Sequence, residues 1–175
     1  MVSYSRQEVQ HAVWELDSPL LDGNDLGGTL RKLMTFVVSG TVTPQVVVSG
    51  APLPLPRATI HHLLRIAQEA TTNAIRHAGA REIVLLLEYQ PDAVRLEISD
   101  DGIGFQPEAV LSQAGHFGLR GIRARTKTLQ GTLTLTSAAG EGTTIRVLVP
   151  LSPSPRIPSD AEPNRPREDQ YPACR

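Results

Sequence analysis

The stretch QEATTNAIRHA, residues 68–78, lies within the clearest amphipathic helix pattern of this chain. Apolar or small residues recur at intervals of three and four over residues 60–78, which predicts one buried stripe along a helix. Beside that stripe, Glu69, Asn73 and His77 follow one another at intervals of four, so a carboxylate, an amide and an imidazole would project from one side. Asn and His have poor helix propensity. We therefore expect these side chains to serve chemistry, with a solvated helix face as the alternative for this stretch alone.

The composition favours one domain with appendages. The chain has 175 residues, of which 40% are hydrophobic and only 4% aromatic, so its core should consist mainly of aliphatic side chains. A net charge of −1 gives no electrostatic case for direct binding to nucleic acid. No apolar run approaches the roughly 20 residues that span a bilayer, and no secretory signal opens the chain. The single cysteine, Cys174, cannot form an internal disulfide. We expect a cytoplasmic location, which would also suit the cytoplasmic part of a membrane-anchored sensor.

The segment before the amphipathic helix of residues 60–78 predicts two helices and a strand. Apolar periodicity predicts helices over Arg6–Leu16 and Leu26–Val37, and neither carries recognisable chemistry. Their expected role is packing or interaction. The β-branched run Gln45–Ser49 predicts a short strand. The three prolines that follow rule out regular helix until the chain passes Arg57.

The amphipathic helix of residues 60–78 should end near Gly79, with this glycine in the left-handed conformation. Two strands are predicted after it. They cover Ile83–Tyr89 and Val94–Ser99 and are joined by a hairpin turn. Apolar and polar residues alternate along the second strand, so Asp100 continues its buried face and Asp101 should point the other way. A buried carboxylate is costly without hydrogen-bond donors. Asp100 is therefore predicted to face either protein donors or a ligand.

The rest of the chain predicts a loop, a helix, two strands and a tail. Gly102-Ile103-Gly104 permits close backbone approach to a ligand, and residues 105–117 have the length of a functional lid. A helix is predicted from about Leu119 to Gly131. Strands are predicted over Leu133–Ser137 and Thr144–Val149. From residue 150 onward half of the chain's prolines accumulate among polar residues, which predicts a disordered tail.

Four segments in this order resemble the catalytic, ATP-binding domain of bacterial sensor histidine kinases, a branch of the superfamily shared with gyrase, Hsp90 and MutL. Gln68–Ala78 resembles its N box, and Asp100–Gly104 resembles its D-x-G-x-G box. Gly118–Arg125 is similar to the variant in the subfamily that pairs with response regulators bearing helix-turn-helix output domains. Gly140–Thr143 precedes the last strand. The resemblance covers residues 53–151 and extends more weakly through the first 40 residues.

The resemblance implies a fold and a division of the chain. The fold class is α/β, a two-layer sandwich of the Bergerat type, with a mixed sheet and helices on one face. Residues 1–40 would form a partial dimerisation and phosphotransfer segment with its link. Residues 41–151 would form the ATP-binding domain, and residues 152–175 the disordered tail.

The resemblance also implies roles for three polar side chains. Glu69 would act as a general base or hold a magnesium-bound water. Asn73 would bind Mg²⁺ through its amide oxygen. Asp100 would accept a hydrogen bond from the exocyclic amine of adenine, in agreement with the inward orientation expected from strand alternation.

The remaining implied nucleotide contacts come from the lid helix, the glycine loops and the end of the N box. A helix that begins near Gly118 offers free N–H groups to a triphosphate. Arg76 would contact phosphate or the lid, as would His77, which has packing as its alternative. The lid arginines are expected to form a solvated face, and His116 to lie on the surface of the lid. The implied binding residues beyond Asn73 and Asp100 are His77, Gly102, Gly104, Gly118, Leu119, Gly121 and Thr143, and the lid arginines are Arg120, Arg123 and Arg125.

The phosphoacceptor is the main departure from the family pattern. The family's acceptor histidine lies on the first helix of a hairpin, and nothing before Gln7 is long enough to supply that helix. His11 lies on what resembles the second helix, while His61 and His62 open the ATP-site helix. We therefore expect an ATP-dependent protein-histidine kinase domain that phosphorylates a histidine on a helix absent from this chain.

The resemblance also implies partners and leaves alternatives. The implied partners are that histidine-bearing dimerisation helix, a response regulator with a DNA-binding output domain, and a second copy in the full-length context. An anti-sigma-factor-type serine kinase shares the fold. A non-catalytic, ATP-dependent interaction module is the alternative from a different class.

Overall fold

The computed structural model describes residues 25–37, 42–107 and 117–151. The predicted helix Arg6–Leu16, the centre of the predicted lid with His116, and the predicted tail lie outside these ranges. Within them the chain forms, in order, α1 (Leu26–Val37), β1 (Thr43–Ser49), α2 (Arg57–Asn73) continued by a π-helical turn (Ala74–Ala78), β2 (Glu82–Tyr89), β3 (Ala93–Asp100), α3 (Phe117–Thr128), β4 (Thr132–Ser137) and β5 (Thr143–Pro150).

The five strands form one mixed sheet in the order β1-β2-β3-β5-β4. β1 and β2 are parallel, and the other neighbouring pairs are antiparallel. Parallel neighbours need a crossover connection, which α2 supplies between β1 and β2. The predicted mixed sheet is therefore confirmed.

Helices cover one face of this sheet. Inward residues of the three central strands are buried with the apolar stripe of α2, and they form one continuous core. The opposite face carries two cross-strand ion pairs, Arg95–Glu88 and Arg146–Glu97, each with an N–O distance of 2.6 Å. The predicted two-layer α/β architecture is thus confirmed. Core residues include Leu63, Ile66, Leu85, Leu87, Leu96, Ile98, Ile145 and Val147.

The helix α1 packs into the same core. Its residues Leu26, Leu30 and Leu33 are almost completely buried, and Thr71 of α2 donates a hydrogen bond to the Met34 sulfur at 3.5 Å. The division at residue 40 stays a prediction. Packing places α1 in the same helical layer as α2. In the described part of the chain, no helix is both long and apolar enough to cross a membrane.

Two helix ends differ in how glycine is used. Gly79 ends the π-helical turn in the left-handed conformation, with φ 61°, as predicted. At the end of α3, which was expected at Gly131, the helix stops at Thr128 and the left-handed residue is Gln130, with φ 53°. A Cβ on Gly131 would lie 2.7 Å from the Leu148 carbonyl oxygen. Gly131 therefore permits close approach of the chain to β5.

Candidate functional site

A cavity of about 710 Å³ lies between the end of α2, the start of α3 and the ends of β3 and β5. Small-molecule sites commonly have volumes of about 300–1,000 Å³, so the cavity can hold a ligand of nucleotide size. It brings together residues that are far apart in the sequence. The predicted site residues that line it are Glu69, Asn73, His77, Asp100, Gly104, Gly118, Leu119 and Thr143.

The helical wall of the cavity carries Glu69, Asn73 and His77. The first two lie on regular helix and are half-buried, whereas His77 lies on the π-helical turn and is exposed. A π-helical turn pairs residues i and i+5 and is frequent at functional sites. The regular α-helical spacing expected for Glu69, Asn73 and His77 is therefore changed at His77, although all three residues border the cavity.

The start of α3 lies directly against this wall. A Cβ built on Gly118 would overlap the Oε1 atom of Glu69 and would lie 3.2 Å from Nδ2 of Asn73. Only a residue without a side chain fits there while Glu69 keeps its place. The first turn of α3 and the two polar side chains of α2 thus border the same space.

Asp100 supplies the carboxylate on the sheet side of the cavity. Its Oδ1 accepts a hydrogen bond from the Gly102 N–H at 3.0 Å. Burial raises the pKa of Asp100, while hydrogen bonds from the backbone N–H groups of Gly102 and Thr143 partly offset that rise. The inward orientation predicted from strand alternation is confirmed. The carboxylate retains capacity to accept a further hydrogen bond from a ligand.

The environment of Asp101 differs from that of Asp100. It is exposed, and its Oδ1 accepts hydrogen bonds from the backbone N–H groups of Arg81 at 2.7 Å and Glu82 at 2.9 Å. These two bonds lower the pKa of the Asp101 carboxyl. Asp101 therefore fastens the start of β2 to the end of β3, and the prediction that it points away from the cavity is confirmed.

Two glycines with positive φ join the loop after β3 to the turn between β4 and β5. Gly104 has φ 60° and Gly142 has φ 71°, values that favour glycine. A Cβ on Gly104 would overlap the Ala138 carbonyl oxygen, and one on Gly142 would overlap the Asp100 carbonyl oxygen. Gly140 N–H also donates to the Ile103 carbonyl at 2.7 Å. The two segments form one continuous wall.

Ser137 ties this wall together, and the sequence analysis did not identify it. Its hydroxyl donates to the Gly142 carbonyl at 2.9 Å and accepts from the Phe105 N–H at 2.9 Å. The same oxygen lies 3.1 Å from Oγ1 of Thr143. Strand alternation was the available signal, because Ser137 follows Leu133 and Leu135 on the inward face of β4.

Two predicted glycines do not border the cavity among the described residues. Gly102 is buried where a Cβ would overlap Ala78, whose carbonyl accepts a hydrogen bond from the Ile103 N–H at 2.9 Å. Gly121 lies one turn into α3, where a Cβ would be 2.8 Å from Nη1 of Arg125. Their contribution to binding stays a prediction.

The cavity also has lining residues that were not selected from the sequence as binding residues. Most are apolar or small, and they suit the faces of a planar ring. Ile145 could have been found, because it shares the inward face of β5 with Thr143. The additional lining residues are Ala70, Thr72, Ala74, Ala78, Ile103, Phe105 and Ile145. Arg76, which was expected to contact phosphate or the lid, borders the cavity as well.

The lid arginines follow the surface of α3. Arg120 and Arg123 are exposed, as expected for a solvated face, whereas Arg125 is half-buried.

His61, near the start of α2, has a perturbed pKa. Burial, followed by the charges of Arg65, His62 and Arg125, lowers the pKa of His61. These residues are not among those that border the cavity.

The donor atoms at the helical wall fit a hard cation shared with a phosphate ligand. Among the described residues, no group of three or more His, Cys, Asp or Glu side chains could hold a metal ion. Asn73 and Glu69, however, offer amide and carboxylate oxygens in the same cavity. Mg²⁺ prefers oxygen ligands and is usually held by one or two protein groups together with substrate phosphates and water. The residues fit Mg²⁺ in that setting.

Comparison with known proteins points to one family. The family model described as "Histidine kinase-, DNA gyrase B-, and HSP90-like ATPase" matches residues 58–153. The match includes α2 from its second residue onward and every other strand and helix that borders the cavity.

Curated relatives carry sensor kinase names. The chain is 44% identical over 91 residues to the signal transduction histidine-protein kinase/phosphatase DegS of Bacillus subtilis, which is 51% of this chain and 24% of that protein. It is 30% identical over 152 residues to the sensor protein VraS of Staphylococcus haemolyticus, which is 87% of this chain and 43% of that protein. The chain thus spans less than half the length of these relatives.

A solved structure shares the fold. The histidine kinase domain from the Erythrobacter litoralis EL346 blue-light activated histidine kinase superposes with a TM-score of 0.58 at 24% identity. The superposition covers 72% of this chain and 59% of that domain.

Proposed function

Because this chain belongs to the histidine kinase-, DNA gyrase B- and HSP90-like ATPase family, we propose that it is the ATP-binding catalytic domain of a two-component sensor histidine kinase. It would transfer the γ-phosphate of ATP to a histidine on a dimerisation helix. The observation that carries the proposal is the single cavity that unites Glu69, Asn73, Asp100 and Thr143.

The sheet side of the cavity is the proposed adenine site. Asp100 offers a half-buried carboxylate, and the apolar side chains of Ile103 and Ile145 lie on the same cavity. An amino group on a planar ring can donate to the carboxylate while the ring covers the apolar surface. A charge-assisted hydrogen bond of this kind is stronger than a neutral one.

The helical side of the cavity is the proposed phosphate site. The first turn of α3, which includes Gly118 and Leu119, borders the cavity opposite Glu69 and Asn73. Free N–H groups and the positive end of the helix dipole favour a phosphate there. Arg76, which also borders the cavity, adds a positive charge.

Glu69 and Asn73 have different proposed roles. Glu69 would accept a proton or orient a water near the transferred phosphoryl group, since a carboxylate in that position can act as a general base. Asn73 would hold Mg²⁺ through its amide oxygen. When bound, the ion offsets the negative charge of the phosphates.

The partners, oligomeric state and location proposed for the domain rest on the names of its relatives, which are sensor histidine kinases. Sensor histidine kinases phosphorylate a histidine within a dimer and pass the phosphoryl group to a response regulator. A regulator with a DNA-binding output domain, a homodimer in the full-length protein and a cytoplasmic location are therefore part of the proposal. Direct binding of nucleic acid is not, because the net charge is only −1.

The test is phosphate transfer to an acceptor on a separate chain. The protein is incubated with Mg²⁺, γ-labelled ATP and a histidine-bearing helical hairpin of this kinase family, with the histidine-to-glutamine hairpin as control. We expect acid-labile, base-stable label on the hairpin that carries the histidine, rising slowly and saturating with hairpin concentration. A tethered acceptor would react faster because of its high effective concentration.

The same experiment separates the alternatives. Label that appears on serine would support an anti-sigma-factor-type kinase. Tight ATP binding without any transfer would support a non-catalytic interaction module. The relatives' names favour neither alternative.

A further inference from the structure

The hydroxyl of Ser137 has one proton and two lone pairs, and its three neighbours use all of them. The Gly142 carbonyl can only accept, so at 2.9 Å it takes the Ser137 proton. The Phe105 N–H can only donate, so at 2.9 Å it occupies one lone pair. The remaining neighbour is Oγ1 of Thr143 at 3.1 Å, which faces the second lone pair.

This arrangement fixes the proton of Thr143. Because the Ser137 proton is already used, the Thr143 hydroxyl must donate to Ser137. Its oxygen then has only lone pairs left for the cavity that Thr143 borders. Thr143 is 8% exposed, so water offers little competition for the hydroxyl. Thr143 therefore presents a hydrogen-bond acceptor to a ligand, beside the carboxylate acceptor of Asp100.

We infer that Ser137 is a positioning residue that selects a purine with a ring amino group over one with a carbonyl at the same place. Two acceptors, Asp100 and Thr143, favour an N–H donor and repel a carbonyl oxygen. A site built to accept from N–H groups rejects a ligand that lacks them because its own polar groups are left unpaired. The inference rests on the proposed function, since it requires that the cavity binds a nucleoside triphosphate.

The chain contains a matched control on the opposite face of the same strands. Ser99 and Thr144 face each other across β3 and β5, with their hydroxyl oxygens 2.9 Å apart. They are the register neighbours of the pair Asp100 and Thr143. They do not border the cavity among the described residues. Removing the Ser99 hydroxyl therefore breaks a similar bond without changing the acceptors that face the ligand.

The experiment compares the dissociation constants of ATP and inosine triphosphate, measured by calorimetry in the presence of Mg²⁺. Inosine triphosphate carries a carbonyl where adenine carries its amino group, and its neighbouring N1 is protonated whereas that of adenine is not. In Ser137→Ala the Thr143 hydroxyl is free to turn and donate. We expect the preference for ATP to fall about five- to tenfold, the size of one hydrogen bond. Ser99→Ala should keep the parental preference, and Ser137→Thr should restore it.

Two further measurements distinguish positioning from a loss of structure. Thermal unfolding without nucleotide checks the folding of each variant, and the ratio of the two dissociation constants cancels any general weakening. Thr143→Val should also lower the preference, and adding Ser137→Ala to it should lower it no further, because Ser137 acts on the ligand only through the Thr143 hydroxyl. An unchanged ratio in Ser137→Ala, or an equal fall in Ser99→Ala, would overturn the inference. A parental protein that binds neither nucleotide would overturn the proposed function itself.

Discussion

The carboxylates of Asp100 and Asp101 are neighbours in the sequence and serve opposite purposes in the structure. Asp100 borders the cavity, where its carboxylate accepts hydrogen bonds from the backbone N–H groups of Gly102 and Thr143. Asp101 is exposed and accepts two backbone N–H groups at the start of β2. The difference arises because successive residues of a strand face opposite sides. One acid is therefore available to a ligand, and the other joins the start of β2 to the end of β3.

The first prediction compares the two acids in nucleotide binding. Asp100→Asn should weaken Mg²⁺-dependent binding of ATP and ADP about 10- to 100-fold, because a hydrogen bond to a charged acceptor is worth roughly 1.5–3 kcal/mol. Asp101→Asn should matter much less, since its side chain faces backbone N–H groups outside the cavity. Calorimetry on both variants decides the matter. Equivalent losses would contradict the adenine role of Asp100.

The second prediction concerns stability without nucleotide. Burial raises the pKa of Asp100 above its ordinary value of 3.8, so the folded state disfavours the charged form and the ionised carboxylate lowers stability at neutral pH. Asp100→Asn should therefore raise the thermal midpoint at pH 7. The gain should shrink as pH falls through the raised pKa and should vanish below the ordinary value. Melting curves between pH 3 and 7 measure the difference in midpoint between variant and parent. A lower midpoint in the variant at pH 7 would show that burial of the charged Asp100 carboxylate does not destabilise the fold.

The third prediction is that replacing Asp101 changes the thermal midpoint in the opposite direction. Backbone hydrogen bonds from Glu82 and Arg81 lower the pKa of Asp101 below 3.8, so its charged form stabilises the folded state. That contribution is fully present above the ordinary value and is lost as pH falls through the lowered folded pKa. Asp101→Asn should melt at a lower temperature than the parent at pH 7, and the two should converge in acid. The same pH series tests this expectation, and a constant difference across the series would argue against it.

Strand positions and the hairpin of β2 with β3 could be predicted from the sequence, but pairing between strands that are distant in the chain could not. Alternation gave Val94–Ser99 for the strand observed over Ala93–Asp100, because side-chain direction is a local property. The parallel pairing of β1 with β2, and the place of β5 between β3 and β4, depend on contacts between distant segments. Local periodicity carries no information about such pairing.

The helices show a similar limit. Periodicity predicted α1, yet it did not reveal that Leu30 and Met34 join the core of the ATP-site domain. The sequence predicts continuous α-helix where the structure has the π-helical turn Ala74–Ala78, because one wide turn barely changes the apolar pattern. The polar site residues on α2 and β3 were found from spacing. Ser137 was missed because its role lies in three contacts from other segments.

The fourth prediction separates rate from binding at the helical wall. Glu69→Gln should keep most of the nucleotide affinity while lowering phosphate transfer, since a residue that acts on the chemical step is felt mainly in the rate. Asn73→Ala should instead remove the Mg²⁺ dependence of binding. Calorimetry with and without Mg²⁺, together with transfer rates to the supplied hairpin, distinguishes the two. A Glu69→Gln protein that transfers at the parental rate would remove Glu69 from the mechanism.

The last prediction uses the close approach of Gly118, at the start of α3, to Glu69. A methyl group on Gly118 would overlap Oε1 of Glu69. Because a glutamate side chain is flexible and this one is only half-buried, Glu69 should rotate away while the fold persists. Alanine also favours helix over glycine by about 0.5–1 kcal/mol, so Gly118→Ala should not lower the unfolding midpoint. Its effect should appear in the reaction.

We expect Gly118→Ala to lower the rate of phosphate transfer about 10- to 100-fold, part of the full contribution of a positioned general base. Gly121→Ala should lower it less, because its methyl group would meet only the movable Nη1 of Arg125, at 2.8 Å. Combining Gly118→Ala with Glu69→Gln should reduce the rate little beyond Glu69→Gln alone. Displacing residue 69 has little effect once its side chain can no longer act as a base. Fully additive losses would mean that Gly118 acts through the phosphate site and independently of Glu69.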